Sequence, residues 1–188
     1  MLNRRLFKSA VCLALVLALS ACAGLKERQY TSFVNSLSWT NPMTGKRDGL
    51  RSSWPEKTLQ GQTESFPLAQ LRQCDAAGAA CAWGVMRAQR SVSRVDSVPG
   101  GISIDLVLVI DVDRRQEVHG PDSKVAMAMA IPADVSAVRY KKEIRQRFIL
   151  PYGKVQHVEL DYGLSFELCA LRYDAAGRAL DVCEIPYI

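Results

Sequence analysis

The chain has 188 residues, 48% hydrophobic and 23% charged, with a formal net charge of +5; these values fit one globular domain with a core of its own. They exclude a disordered chain, a collagen-like repeat and a polytopic membrane protein. Arg4, Arg5 and Lys8 fall in an N-terminal segment expected to be removed, and without them 21 basic residues face 19 acidic ones, a net charge of about +2. So small an excess leaves no electrostatic footprint for nucleic-acid binding.

Residues 1–8 are positively charged, residues 9–19 are rich in Ala, Val and Leu, and Ser20-Ala21-Cys22 follows. A charged start, a short apolar run and small residues make a secretory signal. Residues 9–21 number thirteen, against the ~20 a helix needs to cross a bilayer. Leu19-Ser20-Ala21-Cys22 resembles the lipobox of bacterial lipoproteins. The resemblance is confined to residues 1–22. It implies cleavage before Cys22, a diacylglyceryl group on its thiol and acylation of the new amine; two or more acyl chains hold a protein stably on a membrane. Ala23, where an Asp would signal retention, resembles the sorting pattern for the outer membrane, with the domain facing the periplasm.

From residue 31 to 65, 18 of 35 residues are Ser, Thr, Asn, Gln or Gly, and Pro42 and Pro55 interrupt the stretch. This composition predicts a tether and irregular approach over residues 22–65, with Phe33, Val34, Leu37 and Trp39 available to dock on a domain spanning 66–188. Strands are predicted at 68–73, 82–92, 155–162, 164–173 and 179–185. The strongest lies at 102–112, where Ile102, Ile104, Leu106, Leu108, Ile110 and Val112 form one wholly apolar face. Val125, Met127, Met129 and Ile131 alternate with alanines and predict its antiparallel neighbour. The fold class expected is mainly β, an antiparallel β-sandwich or curled sheet. Residues 134–150 read two ways. Asp134 as a cap, with Ala137, Tyr140, Ile144 and Phe148 on one stripe, favours a helix near 134–148, which makes the fold α+β. As a strand, Val138, Tyr140, Ile144, Phe148 and Leu150 share a face opposite Arg139, Lys141, Glu143, Arg145 and Arg147, at a length well above the usual ~5–6 residues.

Cys12 falls in the removed segment, so Cys74, Cys81, Cys169 and Cys183 remain beside Cys22. Four cysteines in an exported domain predict two disulfides. A loop at Ala175-Ala176-Gly177 with Gly177 left-handed sets Asp174 opposite Arg178 and Tyr173 opposite Ala179. Carried outward, that register brings Cys169 opposite Cys183, and Cys74–Cys81 is left as the second pair.

Catalytic motifs are absent from the sequence: no nucleophile elbow, no metalloprotease helix and no phosphate-binding loop. His119 is expected in an exposed turn and His157 in a strand. Asp111 and Asp113 share a strand face, where cation binding or acid–base work is conceivable but a solvated strand end is the plainer reading. Trp39, Trp54 and Trp83 suit either a groove or a core. No cofactor or metal is expected. The remaining feature is the basic run Arg139, Lys141, Lys142, Arg145 and Arg147, interrupted by Glu143. It suits a docking face for an acidic partner, or a solvated face pairing internally with Glu159, Asp161, Glu167 or Glu184.

These features point to a lipid-anchored envelope protein that binds or scaffolds a protein partner without catalysis. An inhibitor or immunity protein against a cell-wall-active enzyme is a second expectation. A cell-wall or lipid-modifying enzyme is a third, and it requires Asp111, Asp113, His119 or His157 to converge. Cys22→Ser should release the protein from the outer-membrane fraction without changing its unfolding midpoint; retention of the variant in washed outer membranes contradicts the anchoring role.

Overall fold

The computed structural model describes residues 29–120 and 122–185. Cys22 and the signal lie outside them. Eleven strands and one short helix are described: β1 (Tyr30–Thr40), β2 (Arg47–Pro55), α1 (Glu56–Leu59), β3 (Thr63–Ser65), β4 (Ala69–Cys74), β5 (Cys81–Val98), β6 (Gly101–Asp113), β7 (Arg115–His119), β8 (Val125–Ala130), β9 (Tyr140–Pro151), β10 (Gln156–Glu159) and β11 (Ser165–Tyr173). One sheet runs β10-β11-β1-β2, a second runs β3-β5-β6-β9 with β4 also on β5, and β7-β8 form a separate hairpin. The pairings between strands are antiparallel. The expected β-sandwich is the fold observed.

β6 lies between β5 and β9, and its apolar row faces the first sheet. Ile102, Ile104 and Ile110 are fully buried, together with Phe33 and Leu37 of β1 and Phe166, Leu168 and Ala170 of β11. Phe66 meets Phe166 edge-on at 6.5 Å between centroids. On β5 the inward positions are Met86, Ala88, Arg90 and Val92 until a bulge between Val92 and Arg94 shifts the register. The extra residue re-aims the strand, so Val95 continues the inward row opposite Ile104. Gly101 is required where β6 begins: a Cβ there would stand 2.2 Å from the Leu150 carbonyl oxygen.

One ionised group lies inside this interface. Arg90 is fully buried, and its Nη2 donates to Glu64 Oε2 at 2.7 Å. Its guanidinium lies 5.3 Å from the Phe33 ring centroid and 5.6 Å from that of Trp54. Ser52 Oγ donates to the same Glu64 oxygen, and Asn35 Nδ2 donates to Ser52 Oγ, each at 2.9 Å. Asn35, Ser52, Glu64 and Arg90 belong to β1, β2, β3 and β5, so this chain ties the two sheets together at one end. A buried charge is tolerable when paired and hydrogen-bonded, and aromatic faces add cation–π attraction.

Four sequence expectations are corrected. Residues 30–65 are not an irregular approach. β1 is the most buried strand of its sheet, with Phe33, Asn35, Ser36 and Leu37 at 0% exposure. Its serines read as loop composition, yet a sheet covered on both faces takes small side chains, and Ser38 Oγ accepts from Arg47 Nε at 3.0 Å. The helix near 134–148 is instead β9, twelve residues long because it pairs along almost the whole of β6, from Gly101↔Pro151 to Val112↔Tyr140. That pairing sets Leu150 and Phe148 beside Ile102 and Ile104 and overrides the helical stripe. β8 does not pair with β6, whose two edges belong to β5 and β9; it pairs with β7.

Finally, residues 179–185 form no strand. The hairpin begins as expected, with Asp174 N–H on the Arg178 carbonyl at 3.0 Å, Gly177 at φ 82° and Tyr173 bridged to Ala179. Beyond it, the edge of β11 is occupied by β10 and by Gly153, whose N–H donates to the Ala170 carbonyl at 2.9 Å. The chain end instead crosses the outer face of the first sheet, packing Cys183 and Ile185 on Val34, Cys169 and Leu171. Asp181 holds it there through two hydrogen bonds from the Arg172 guanidinium, at 2.8 and 3.0 Å, and one from the Arg172 backbone N–H at 3.3 Å. Both expected disulfides, Cys74–Cys81 and Cys169–Cys183, are formed.

Arg90→Met should destabilise the domain by roughly 3–5 kcal/mol, because it strands Glu64 in a half-dry site. Arg90→Met combined with Glu64→Gln should recover part of that loss, since the pair couples. Urea unfolding midpoints of the two singles and the double check this; additive losses contradict it.

Candidate functional site

Apart from Arg139, which immediately precedes it, the basic run lies on β9, the open edge of the second sheet. Its outward residues share a face with the outward residues of β6 and β5, and the register sorts their charges. Asp111 stands between Arg87 and Lys141, and Asp105 between Arg94 and Arg147. Arg87 pairs with Asp111 at 3.5 Å. Arg147 forms a fork on Asp105, with Nε to Oδ1 at 2.7 Å and Nη2 to Oδ2 at 2.9 Å. These bonds hold the Asp105 carboxyl below the usual carboxylate range and raise the Arg147 guanidinium. Arg139 pairs with Asp113 at 3.3 Å, and Arg145 pairs with Glu143. The internal partners are therefore Asp105, Asp113 and Glu143; the carboxylates of the C-terminal region do not serve.

Lys141 and Lys142 are left over. Among the described residues neither has an acidic partner within ion-pair distance, and both are exposed on the edge strand. Beside them, Arg145, Gln146 and Arg147 line a groove of about 320 Å³ that is floored by Leu106 and Val107 and reaches Ser93 at the bulge. The edge thus presents two free ammonium groups and two arginines in exposed surface pairs, beside a shallow groove lined mostly by polar side chains.

Asp111 and His119 converge, whereas Asp113 and His157 do not join them. A cavity of about 240 Å³ under the β7–β8 hairpin is lined by Arg87, Asp111, Glu117 and His119, with Ser65 and Gln89. His119 Nε2 lies 3.7 Å from Glu117 Oε2, which is ion-pair distance without a hydrogen bond. Asp113 turns to Arg139, and His157 sits on the other sheet with Nδ1 3.3 Å from Glu167 Oε1. Among the described residues no group of three or more His, Cys, Asp or Glu is arranged to hold a metal ion. The tryptophans do not share a groove: Trp39 is core, Trp54 flanks Arg90 and Trp83 lies under the Arg72 guanidinium. Sequence reasoning missed Glu117, because a strand reading Arg-Gln-Glu-Val-His carries no apolar alternation.

No family model matches the chain, and neither a curated protein nor a solved structure matches it.

Tyr140, at the start of β9, packs edge-on against Tyr162 at 5.0 Å. Burial, and after it the neighbouring Asp161 carboxylate, push its phenol up to about 12. The unfolded chain ionises near 10, so Tyr140 contributes stability that is complete below about pH 10 and is lost as pH rises towards about 12. Tyr140→Phe should therefore lose less stability than the parent between about pH 9 and 11.5, as read from urea midpoints; parallel pH profiles contradict this.

Proposed function

We propose that this protein is a lipid-anchored, non-catalytic binding module of the bacterial envelope, held on the outer membrane and facing the periplasm. Its β9 edge docks an acidic protein partner. The observation that carries the reading is the asymmetry of charge on that edge: the arginines are matched by carboxylates of their own sheet, while Lys141 and Lys142 are not. An open sheet edge offers unpaired backbone groups to an incoming strand, and lysines on it repel other copies of the same edge. An extended partner with carboxylates meets no such repulsion. Opposite charges speed encounter and fix register more than they add affinity. Two disulfides suit an oxidising compartment, and the lipobox resemblance supplies the anchor.

The exposed loop at residues 75–80, braced by Cys74–Cys81, favours one further reading. Such a loop suits insertion into the cleft of an envelope enzyme, as an inhibitor would.

Lys141→Glu with Lys142→Glu should weaken binding of an extended Glu-rich peptide by at least about tenfold. Binding by the parent should weaken as salt rises from about 50 to 300 mM. Exposed charges are worth about 0–1 kcal/mol each to folding, so the unfolding midpoint should hold. The same peptide should slow amide exchange along β9. Unchanged affinity after reversal, or protection elsewhere than β9, overturns the assignment.

A further inference from the structure

We propose that Cys74–Cys81 is a thiol–disulfide exchange site, at which an incoming cysteine thiolate bonds to Cys74 and expels Cys81. The two residues oppose each other at the turn end of the β4–β5 hairpin, flanking the loop at residues 75–80. They are half-buried and line a cleft of about 500 Å³ with Ser136, Val138 and Tyr162. Cys169–Cys183 is the contrast: it lies at 0% and 8% exposure beneath the chain end, where no thiolate reaches it.

The second observation distinguishes the two sulfurs. Arg72 Nη2 lies 3.1 Å from Cys81 Sγ, and its guanidinium is held over the Trp83 ring at 5.4 Å. Among the described residues no such donor reaches Cys74. A cation beside a sulfur lowers the pKa of its thiol and favours the thiolate. In exchange, the sulfur with the lower thiol pKa leaves faster. The charge distribution therefore directs attack to Cys74: a new sulfur–sulfur bond forms there, the Cys74–Cys81 bond breaks, and its electron pair leaves on Cys81 as a thiolate facing Arg72. A second thiolate attacking the partner sulfur of the mixed disulfide releases the oxidised partner pair and leaves Cys74 reduced. Two electrons then pass from two thiols to the protein disulfide.

The hairpin survives this opening. Asp75 N–H donates to the Ala80 carbonyl at 2.9 Å, Gly78 N–H to the Asp75 carbonyl at 3.0 Å, and Ala79 N–H to Asp75 Oδ1 at 2.8 Å. The turn is closed by its own hydrogen bonds, and β4 is paired with β5 from Ala69↔Met86 onward. Reduction at this site is therefore separable from unfolding.

The test exposes the oxidised full chain to reduced glutathione, quenches with an alkylating agent and maps the peptides. The expected result is glutathione on Cys74, alkylated Cys81, an intact Cys169–Cys183 bond and an unchanged circular dichroism spectrum. Arg72→Met should slow adduct formation about three- to tenfold at neutral pH and raise the pH at which Cys81 alkylates, with Arg72→Lys intermediate. Opening only on global unfolding, equal adducts on Cys74 and Cys81, or an unchanged rate in Arg72→Met each overturn the proposal. Lys141 and Lys142 are untouched by these variants, so the outcome is independent of docking at β9.

Discussion

The apolar row of β6 is the constraint from which the rest of the architecture follows. Six large aliphatic side chains, from Ile102 to Val112, are each no more than 1% exposed. At roughly 1.5–3 kcal/mol per side chain, their burial is worth on the order of 10 kcal/mol, comparable to the net stability of a whole domain. No surface charge effect competes with that. The row must be covered, and the cover comes from strands far apart in sequence: β1 at the beginning of the described chain and β11 near its end. Pairing β1 with β11 from Tyr30↔Tyr173 to Ser38↔Ser165 then closes the chain upon itself.

Once that face is fixed, alternation decides what the other face shows. Asp105, Asp111 and Asp113 are driven outward because their neighbours are driven inward, and β5 and β9 lie on either side in register. Cross-strand neighbours of opposite charge follow: Arg87 and Lys141 about Asp111, Arg94 and Arg147 about Asp105. A basic run that looks like a strongly charged patch in the sequence is thereby mostly neutralised by its own sheet. What remains distinctive is positional, namely two lysines on a long open edge. Edge lysines discourage self-pairing whatever else they do, so a protective and a docking role are compatible.

The interior holds a different compromise. A guanidinium between two sheets is expensive unless its partners are built in, and Arg90 has its carboxylate on the adjacent strand and rings of the opposite sheet beside it. The Asn35–Ser52–Glu64–Arg90 chain gives directional contacts to an interface that is otherwise non-directional packing. Hydrophobic rows tolerate sliding in a way that a hydrogen-bond chain across four strands does not. Stabilisation comes chiefly from the rows, and relative placement of the sheets at this end from the polar chain.

The signal for mainly β structure, the central strand and the turn at Ala175-Ala176-Gly177 were legible in the sequence because each rests on local information: period-two alternation, a left-handed glycine, a short loop length. Both cysteine pairs form as expected, but Cys169 and Cys183 meet because the C-terminal segment crosses the sheet face, not through the continued hairpin register that predicted the pair. The exchange of residues 134–150 from helical stripe to strand was not local. Tyr140, Ile144 and Phe148 satisfy both periods, and the exposed flank of β6 settled the choice. The serine-rich β1 was hidden for a similar reason, since loops and doubly covered strands both favour small side chains and only the surroundings separate them. Arg90 sits in an unremarkable run of the sequence, and its burial depends on Trp54, Phe33 and Glu64 arriving from other strands. The basic run itself was plain in the sequence, but which of its charges are matched depended on β6 lying beside β9 in one particular register. Composition and short-range periodicity determined the elements; long-range strand pairing decided which faces are covered, which charges are paired and which edge is left open.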